Sequence, residues 1–360
     1  MESISFMKKI QISSFLDYNR EQHTLYMDAS EVARRMLIRE QDGVDISVLK
    51  CMDGRVNYSI FTNQPFGIVY PYKTIGGQFQ TGSHFGEIHK NSVAKSWSKG
   101  RPCLIIVTYH WSKGDPSHRG CKGFDCKVDD ARKYTENLAK QIDVMFGKNH
   151  AMAYPIQIGM ETDHDALVLH GINGQTLDLS EVQHADSMSV LNSIRELYPD
   201  MSERMLACLL RQCMGNIAHI AEIKLAGRPV ADIEHKETVL GIGRGYDWYH
   251  KPNSALIVGP YTYDLKAPTA TAASIILGNI QAGRVSAEEG CALIASGNYR
   301  DEGPDKVWAA MKALQLLDDA IEVIREQVPE LLSYLDSAAG ILNEHTREFT
   351  IVRKEDAWLN

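Results

Sequence analysis

Two candidate metal donors fall where apolar, strand-like runs end, and a third in the loop that follows. Cys51-Met52-Asp53-Gly54-Arg55 overlaps the end of DISVLKCM, Tyr109-His110 closes CLIIVTYH, and Cys121 follows eleven residues after His110 in the loop SKGDPSHRGCKGFD. Alternate side chains of a strand share a face, so the thiol, carboxylate and guanidinium of Cys51, Asp53 and Arg55 are expected to point the same way. The carboxyl ends of parallel strands are also where open α/β sheets place their ligand crevice. A cysteine alone in such a place is usually a small buried hydrophobe. Two thiolates with one imidazole are instead a zinc donor set, and three protein ligands leave the fourth tetrahedral position open, the catalytic pattern. The spacing is not a Cys-x2-Cys knuckle, and His118, within His118-Arg119-Gly120-Cys121, is a rival to His110.

Other polar clusters are weaker. His84-x-x-Glu87-x-His89 lacks the His-Glu-x-x-His order and reads as solvated surface. Glu161, Asp163, His164 and Asp165 read as a turn between two strands. Gly241-x-Gly243-x-Gly245 has no glycine three residues after its second and fails the dinucleotide fingerprint. Cys126 reads as a spare thiol, and Cys103, Cys208, Cys213 and Cys291 lie in apolar patterns expected to be core. Seven cysteines, an odd number spread thinly, do not form a disulfide framework, so reduced thiols are expected.

The elements that must position these residues follow from periodicity. DISVLKCM, FGIVYPY, CLIIVTYH and YPIQIGM are short β-branched or aromatic runs, expected as strands buried on both faces of a mostly parallel sheet. VDDARKYTENLAKQIDVMFG, at 128–147, has helical apolar spacing and an acidic first turn, fitting a crossover helix. The expected organisation is a helical arm over 1–40, capped by Asp28 or Ser30; a zinc-bearing α/β domain over 41–185; a helical connector over 186–228, broken at Pro199 and closed by Gly227; and a second α/β unit over 229–360. The second unit reads as a faded copy of the first. Cys103 laid on Cys291, offset 188, puts CLIIVTYHWSKGDPSH over CALIASGNYRDEGPDK, with His110 on Asn298 and Cys121 on Ala309. Laying Val48-Leu49 over Val239-Leu240, offset 191, puts Cys51 on Ile242, Asp53 on Arg244 and Arg55 on Tyr246. The expected fold is therefore α/β, two mostly parallel sheets with flanking helices forming an internal pseudo-dimer, with a metal site only in the first.

The 360 residues carry 38 Lys+Arg against 46 Asp+Glu, a net charge of -8, with 44% apolar residues. That composition is globular and offers no overall positive field to a phosphate backbone, so nucleic acid is not expected as a partner. No run of 18 apolar residues is present to span a bilayer, and the start has no apolar run with a cleavage site after Lys8 and Lys9. No membrane partner and a cytoplasmic location are expected.

Cys51-x-Asp53-x-Arg55 resembles the signature of the β-class carbonic anhydrases. VTYHWSKGDPSHRGCKGFDCKVDDA and IGMETDHDALVLHG resemble, more specifically, the divergent carboxysomal shell branch, whose histidine and second cysteine lie similarly far apart. The likeness covers roughly 41–180, and the branch carries a second, inactive copy of the domain after the first. The resemblance implies Cys51, His110 and Cys121 as ligands of one Zn2+ per chain, Asp53 and Arg55 as the catalytic pair, and His118 as a loop residue. It implies reversible hydration of CO2 to bicarbonate by zinc-bound hydroxide, with Asp53 orienting the hydroxide, or displacing it to close the site, and Arg55 keeping Asp53 ionised. Alternatives are CS2 or COS hydrolysis on the same scaffold and a non-enzymatic zinc-containing scaffold or sensor. A homo-oligomer is expected, and carboxysome components are the partners the branch implies. Only fifty residues precede Cys51, whereas carboxysomal members carry an additional N-terminal domain.

Overall fold

The computed structural model describes residues 10–113, 120–147, 151–182, 186–228, 235–246, 254–259 and 264–352. It divides into two compact units, the first Ala33–Ile233 with Tyr261–Tyr263, the second Met1–Val32, Glu234–Pro260 and Asp264–Asn360. Helices α1 (Ile10–Met27) and α2 (Ala29–Asp42) open the chain. Asp28 caps α2, accepting from the Ser30 amide at 2.9 Å. In the first unit follow β1 (Asp45–Cys51), α3 (Tyr58–Phe61), β2 (Val69–Thr74), α4 (His84–Trp97), β3 (Cys103–Trp111), α5 (Val128–Phe146), β4 (Ala153–Glu161), β5 (Ala166–His170), β6 (Thr176–Asp178), α6 (Ser187–Leu197) and α7 (Glu203–Ala226).

The sheet of the first unit runs β2-β1-β3-β4-β5-β6, parallel through β4 and antiparallel at β5 and β6. Alternation sorts its side chains onto two faces. Ile46, Val48, Leu104, Ile106, Ile156 and Ile158 pack with Val190 and Ile194 of α6 and Met205 and Leu209 of α7. Leu49, Ile105 and Val107 pack with Phe85 and Val93 of α4 and Leu138 and Ile142 of α5. Burial on both faces explains why these strands read as unbroken apolar runs. Val48 and Ile106 are wholly inaccessible, and truncating Ile106 to Ala would cost about 2–5 kcal/mol. Residues 186–228, expected as a connector, close one face of this sheet with α6 and α7, parted around Pro199.

The second unit holds β7 (Val239–Gly243), β8 (Ala255–Val258), α8 (Lys266–Gln281), β9 (Cys291–Tyr299), α9 (Pro304–Gln327), β10 (Leu335–Asn343) and β11 (Phe349–Val352). Its sheet runs β8-β7-β9-β10-β11, with β8, β7, β9 and β10 parallel and β11 antiparallel. This matches β2-β1-β3-β4-β5 strand for strand, so the two units share one topology. From the expected arm, α1 sets Phe15 into this unit's core against Tyr246 and Phe349.

Strand pairing corrects the alignment of the copies. The nine-residue strands β3 and β9 do lie at offset 188, but Ile46 pairs with Leu104 whereas Val239 pairs with Ala292, the residue matching Leu104. Ile46 therefore matches Val239, an offset of 193 rather than 191. Lys50 then falls on Gly243, Cys51 on Arg244 and Asp53 on Tyr246; the residue matching Arg55, Trp248, lies outside the described residues. A shared Val-Leu pair drew the shorter offset, while hydrogen-bond register to the central strand fixes the longer one. Gly241, Gly243 and Gly245 are packing glycines here: a Cβ on Gly243 would stand 2.2 Å from the Ser296 carbonyl oxygen and one on Gly245 2.3 Å from Leu342.

Candidate metal centre

β1 delivers Cys51 as its last residue and β3 delivers His110 as its penultimate one, on adjacent parallel strands locked together by the Thr108 hydroxyl donating to the Leu49 carbonyl at 2.9 Å. Cys121 returns from the loop after β3. Gly120 pairs with Trp111, so the chain doubles back beside the strand end. A side chain at 120 would meet the Cys126 carbonyl oxygen at 2.4 Å, so only glycine permits this approach. The turn Lys122–Phe124 then lies on the Gly76-Gly77 turn after β2, with the Phe124 ring where a Cβ of Gly76 would be and Gln78 Nε2 donating to the Gly123 carbonyl at 2.6 Å.

The donor atoms of Cys51, His110 and Cys121 all lie within 4.8 Å of one another, and all three residues are buried. The two sulfurs are 3.4 Å apart. The hydrogen bond from the Cys121 thiol, aided by His110, holds the Cys51 thiol well below its usual range against burial. The same hydrogen bond, with burial, pushes Cys121 up. The two sulfurs thus share a hydrogen bond whose proton a thiolate-binding cation would displace. His110 Nε2 is buried with no hydrogen-bond partner. A buried donor nitrogen left unsatisfied beside two soft sulfur donors fits a borderline divalent cation such as zinc, with one coordination position left over.

Asp53 and Arg55 lie beside the cluster, but in a turn rather than along the strand. The Arg55 amide donates to Asp53 Oδ1 at 2.9 Å, its Nε to both carboxylate oxygens at 3.1 and 3.2 Å, and its Nη2 to Oδ2 at 2.7 Å. A fork of this kind fixes the plane of a carboxylate that is only 4% exposed. Lys50, which the apolar strand pattern concealed, is buried behind them and donates through Nζ to the carbonyls of Cys51 at 2.8 Å and Asp53 at 3.1 Å. Burial pulls its pKa down to about 8, against the opposing pull of Cys51 and Asp53.

Trp111, Ser112 and Lys113, where the chain leaves β3, are tethered from the β4–β5 hairpin. Asp163 accepts from Ser112 Oγ at 2.6 Å and from the Lys113 amide at 2.8 Å, and Thr162 N donates to the Trp111 carbonyl at 2.9 Å. Glu161 accepts the Asp163 and His164 amides, and Asp165 receives both Nη atoms of Arg228. The residues read as a turn between two strands do form the turn between β4 and β5, and they also act as a clasp, a role hidden because their partners are distant in sequence. His118 lies outside the described residues. His84 and Glu87 are exposed, but His89, expected at the surface, is buried in helix α4, stacked on Phe85 and 3.3 Å from Ser47 Oγ. The helical period turns it inward, and its pKa falls to about 4 through burial. Cys126 is half-buried, the other four cysteines are core, and none of the seven is in a disulfide. Among the described residues no helix is long and apolar enough to cross a membrane.

Fold and site together define a duplicated α/β protein in which one unit gathers, at two strand ends and the loop after β3, three side chains that could hold a metal ion beside a carboxylate–guanidinium pair. Residues 41–225 match the family model of the carboxysome shell carbonic anhydrase catalytic domain, and the chain belongs to that family. Relatives named carboxysome shell carbonic anhydrase include one from Prochlorococcus marinus MIT 9313, 23% identical over 262 residues covering 62% of this chain and 49% of the relative. Another, from Parasynechococcus marenigrum WH8102, is 22% identical over 267 residues, 62% of this chain and 44% of the relative. A third, from Hydrogenovibrio crunogenus, is 26% identical over 171 residues, 40% of this chain and 32% of the relative. The chain spans about half the length of the first two relatives.

Proposed function

We propose that the first unit is a zinc carbonic anhydrase that interconverts CO2 and bicarbonate, with Cys51, His110 and Cys121 as the ligands and Asp53 and Arg55 as the catalytic pair. The observation that carries the reading is the convergence of three buried donor atoms within 4.8 Å on a chain of this family. Zinc bound there would supply a Lewis acid able to make water a nucleophile near neutral pH. Cys51 and Cys121 give up their remaining proton and His110 offers its unpartnered nitrogen. Asp53 accepts a hydrogen bond from the attacking oxygen and turns its lone pair toward the CO2 carbon. Arg55 holds that carboxylate ionised and in plane through the fork.

The carboxysome shell named by the relatives is carried over as this chain's assembly partner on the same footing. Zinc content of the purified protein, measured with CO2 hydration and with CS2 and COS hydrolysis, tests the reading. Stoichiometric zinc with rapid CO2 hydration supports it. Hydrolysis of CS2 or COS without hydration transfers the scaffold to those substrates. Zinc without either activity makes the protein a scaffold or sensor. Co-sedimentation with purified carboxysome shells tests the partner.

A further inference from the structure

A lysine buried to 4% exposure inside an apolar strand demands a reason, since ammonium groups are rarely buried without full pairing. Lys50 spends two hydrogen bonds on the carbonyls of Cys51 and Asp53, the first thiol donor of the cation site and the carboxylate of the catalytic pair. The second unit supplies an internal control. At the matched position it has Gly243, and the carbonyl of Arg244, matching that of Cys51, is satisfied by the neutral hydroxyl of Ser296 at 2.6 Å. Closing a strand end in this topology therefore needs no lysine. The lysine accompanies the donor set: the unit with Cys51 and His110 has it, and the unit with Arg244 and Asn298 does not.

We propose that Lys50 is a positioning residue of the centre. Resting on the zinc reading above, its ammonium pins two carbonyls two residues apart and so fixes the turn that aims the Cys51 sulfur and the Asp53 carboxylate at one point. A single hydroxyl holds one carbonyl, whereas the ammonium bridges both and sets the spacing between the two functional side chains.

The test is cobalt and zinc affinity by chelator competition, with the visible spectrum of the cobalt protein as a readout of donor geometry, on the parent, Lys50→Met and Lys50→Arg. Groups that orient metal ligands are commonly worth roughly 10–100-fold in affinity. Lys50→Met is expected to weaken binding by that factor and to change the cobalt bands. Lys50→Arg, keeping donors and charge on a displaced point, is expected to lose less affinity and still shift the bands. A folded Lys50→Met variant with lower thermal stability but the parent's affinity and spectrum overturns the proposal, because a merely structural lysine would act that way. Should Lys50→Met fail to fold, Lys50→Arg decides: unchanged affinity and bands overturn the proposal, shifted ones support it. A parent that takes up neither metal overturns the zinc reading itself and the role of Lys50 with it, a result distinct from either variant outcome.

Discussion

Where β1 ends, the first unit carries Lys50 and Cys51; where β7 ends in matching register, the second carries Gly243 and Arg244. Near the end of the central strand, the first unit has His110 where the second has Asn298. Five strands pair in the same order and sense in both units, each around a nine-residue central strand with an apolar core. The difference in donors falls at the strand ends, at positions that still pair with a neighbouring strand: Cys51 with Thr74, His110 with Met160, Asn298 with Leu342. In the second unit those ends are spent on close packing, Gly243 at φ +127° against the Ser296 carbonyl and Gly245 against Leu342. The same topology thus stands without counterparts of Cys51 and His110, because the strands are held by their alternating core positions.

The largest effect follows from the donor set itself. Cys51→Ser, His110→Ala and Cys121→Ser should each abolish stoichiometric zinc and bring CO2 hydration to background, because two protein ligands do not hold the ion in an open site. His118→Ala should retain both. Metal analysis beside stopped-flow hydration checks the series; a metal-free His118→Ala with a replete His110→Ala would reverse the ligand assignment. The parent should hold one zinc per chain, and two tightly bound ions would break the contrast between the units.

Asp53→Asn sharpens the same contrast within one turn. The amide keeps the shape but removes the charge that the Arg55 fork grips. Zinc should stay bound, since Asp53 is not one of the three ligands, while turnover falls about 100-fold, the usual worth of a positioned acid–base group. A zinc-replete variant with full turnover would remove Asp53 from the mechanism.

How much of this was legible depended on whether a residue's partners were near it in sequence or pattern. β1 to β4 announced themselves as apolar runs because both sheet faces are covered, and Cys51, His110 and Cys121 stood out by type. β10 passed unnoticed because LDSAAGILN is built of small and mixed residues, one of which, Gly340, leaves room for the Phe349 ring across the pair. Lys50 was hidden by its apolar strand, since nothing in a linear pattern shows that a lysine bends back to two carbonyls. The Asp163 tether was equally invisible, its partners lying about fifty residues upstream.

The smallest effect concerns stability against acid, and it too separates the units. Burial lowers the pKa of His89 and His170 to about 4, and both belong to the first unit. His89 is packed among Phe85, Tyr72 and Phe146 with only Ser47 as a polar neighbour through Nε2, while its Nδ1 has no partner. Burial therefore keeps it neutral until about pH 4, whereas in the unfolded chain it takes up a proton near pH 6.5. Between those values the unfolded state binds the extra proton, so stability is intact above about pH 6.5 and drains as pH falls toward 4. At pH 5 the loss amounts to about 2 kcal/mol for this one group. His89→Phe should lower stability at pH 7.5 by about 1 kcal/mol, through the lost Ser47 hydrogen bond, yet flatten the fall between pH 7.5 and 5. Urea denaturation followed at several pH values, with Trp111 and Trp97 in the first unit as reporters, measures both. An acid slope in His89→Phe as steep as the parent's would mean that the buried imidazole is not what makes the first unit acid-labile.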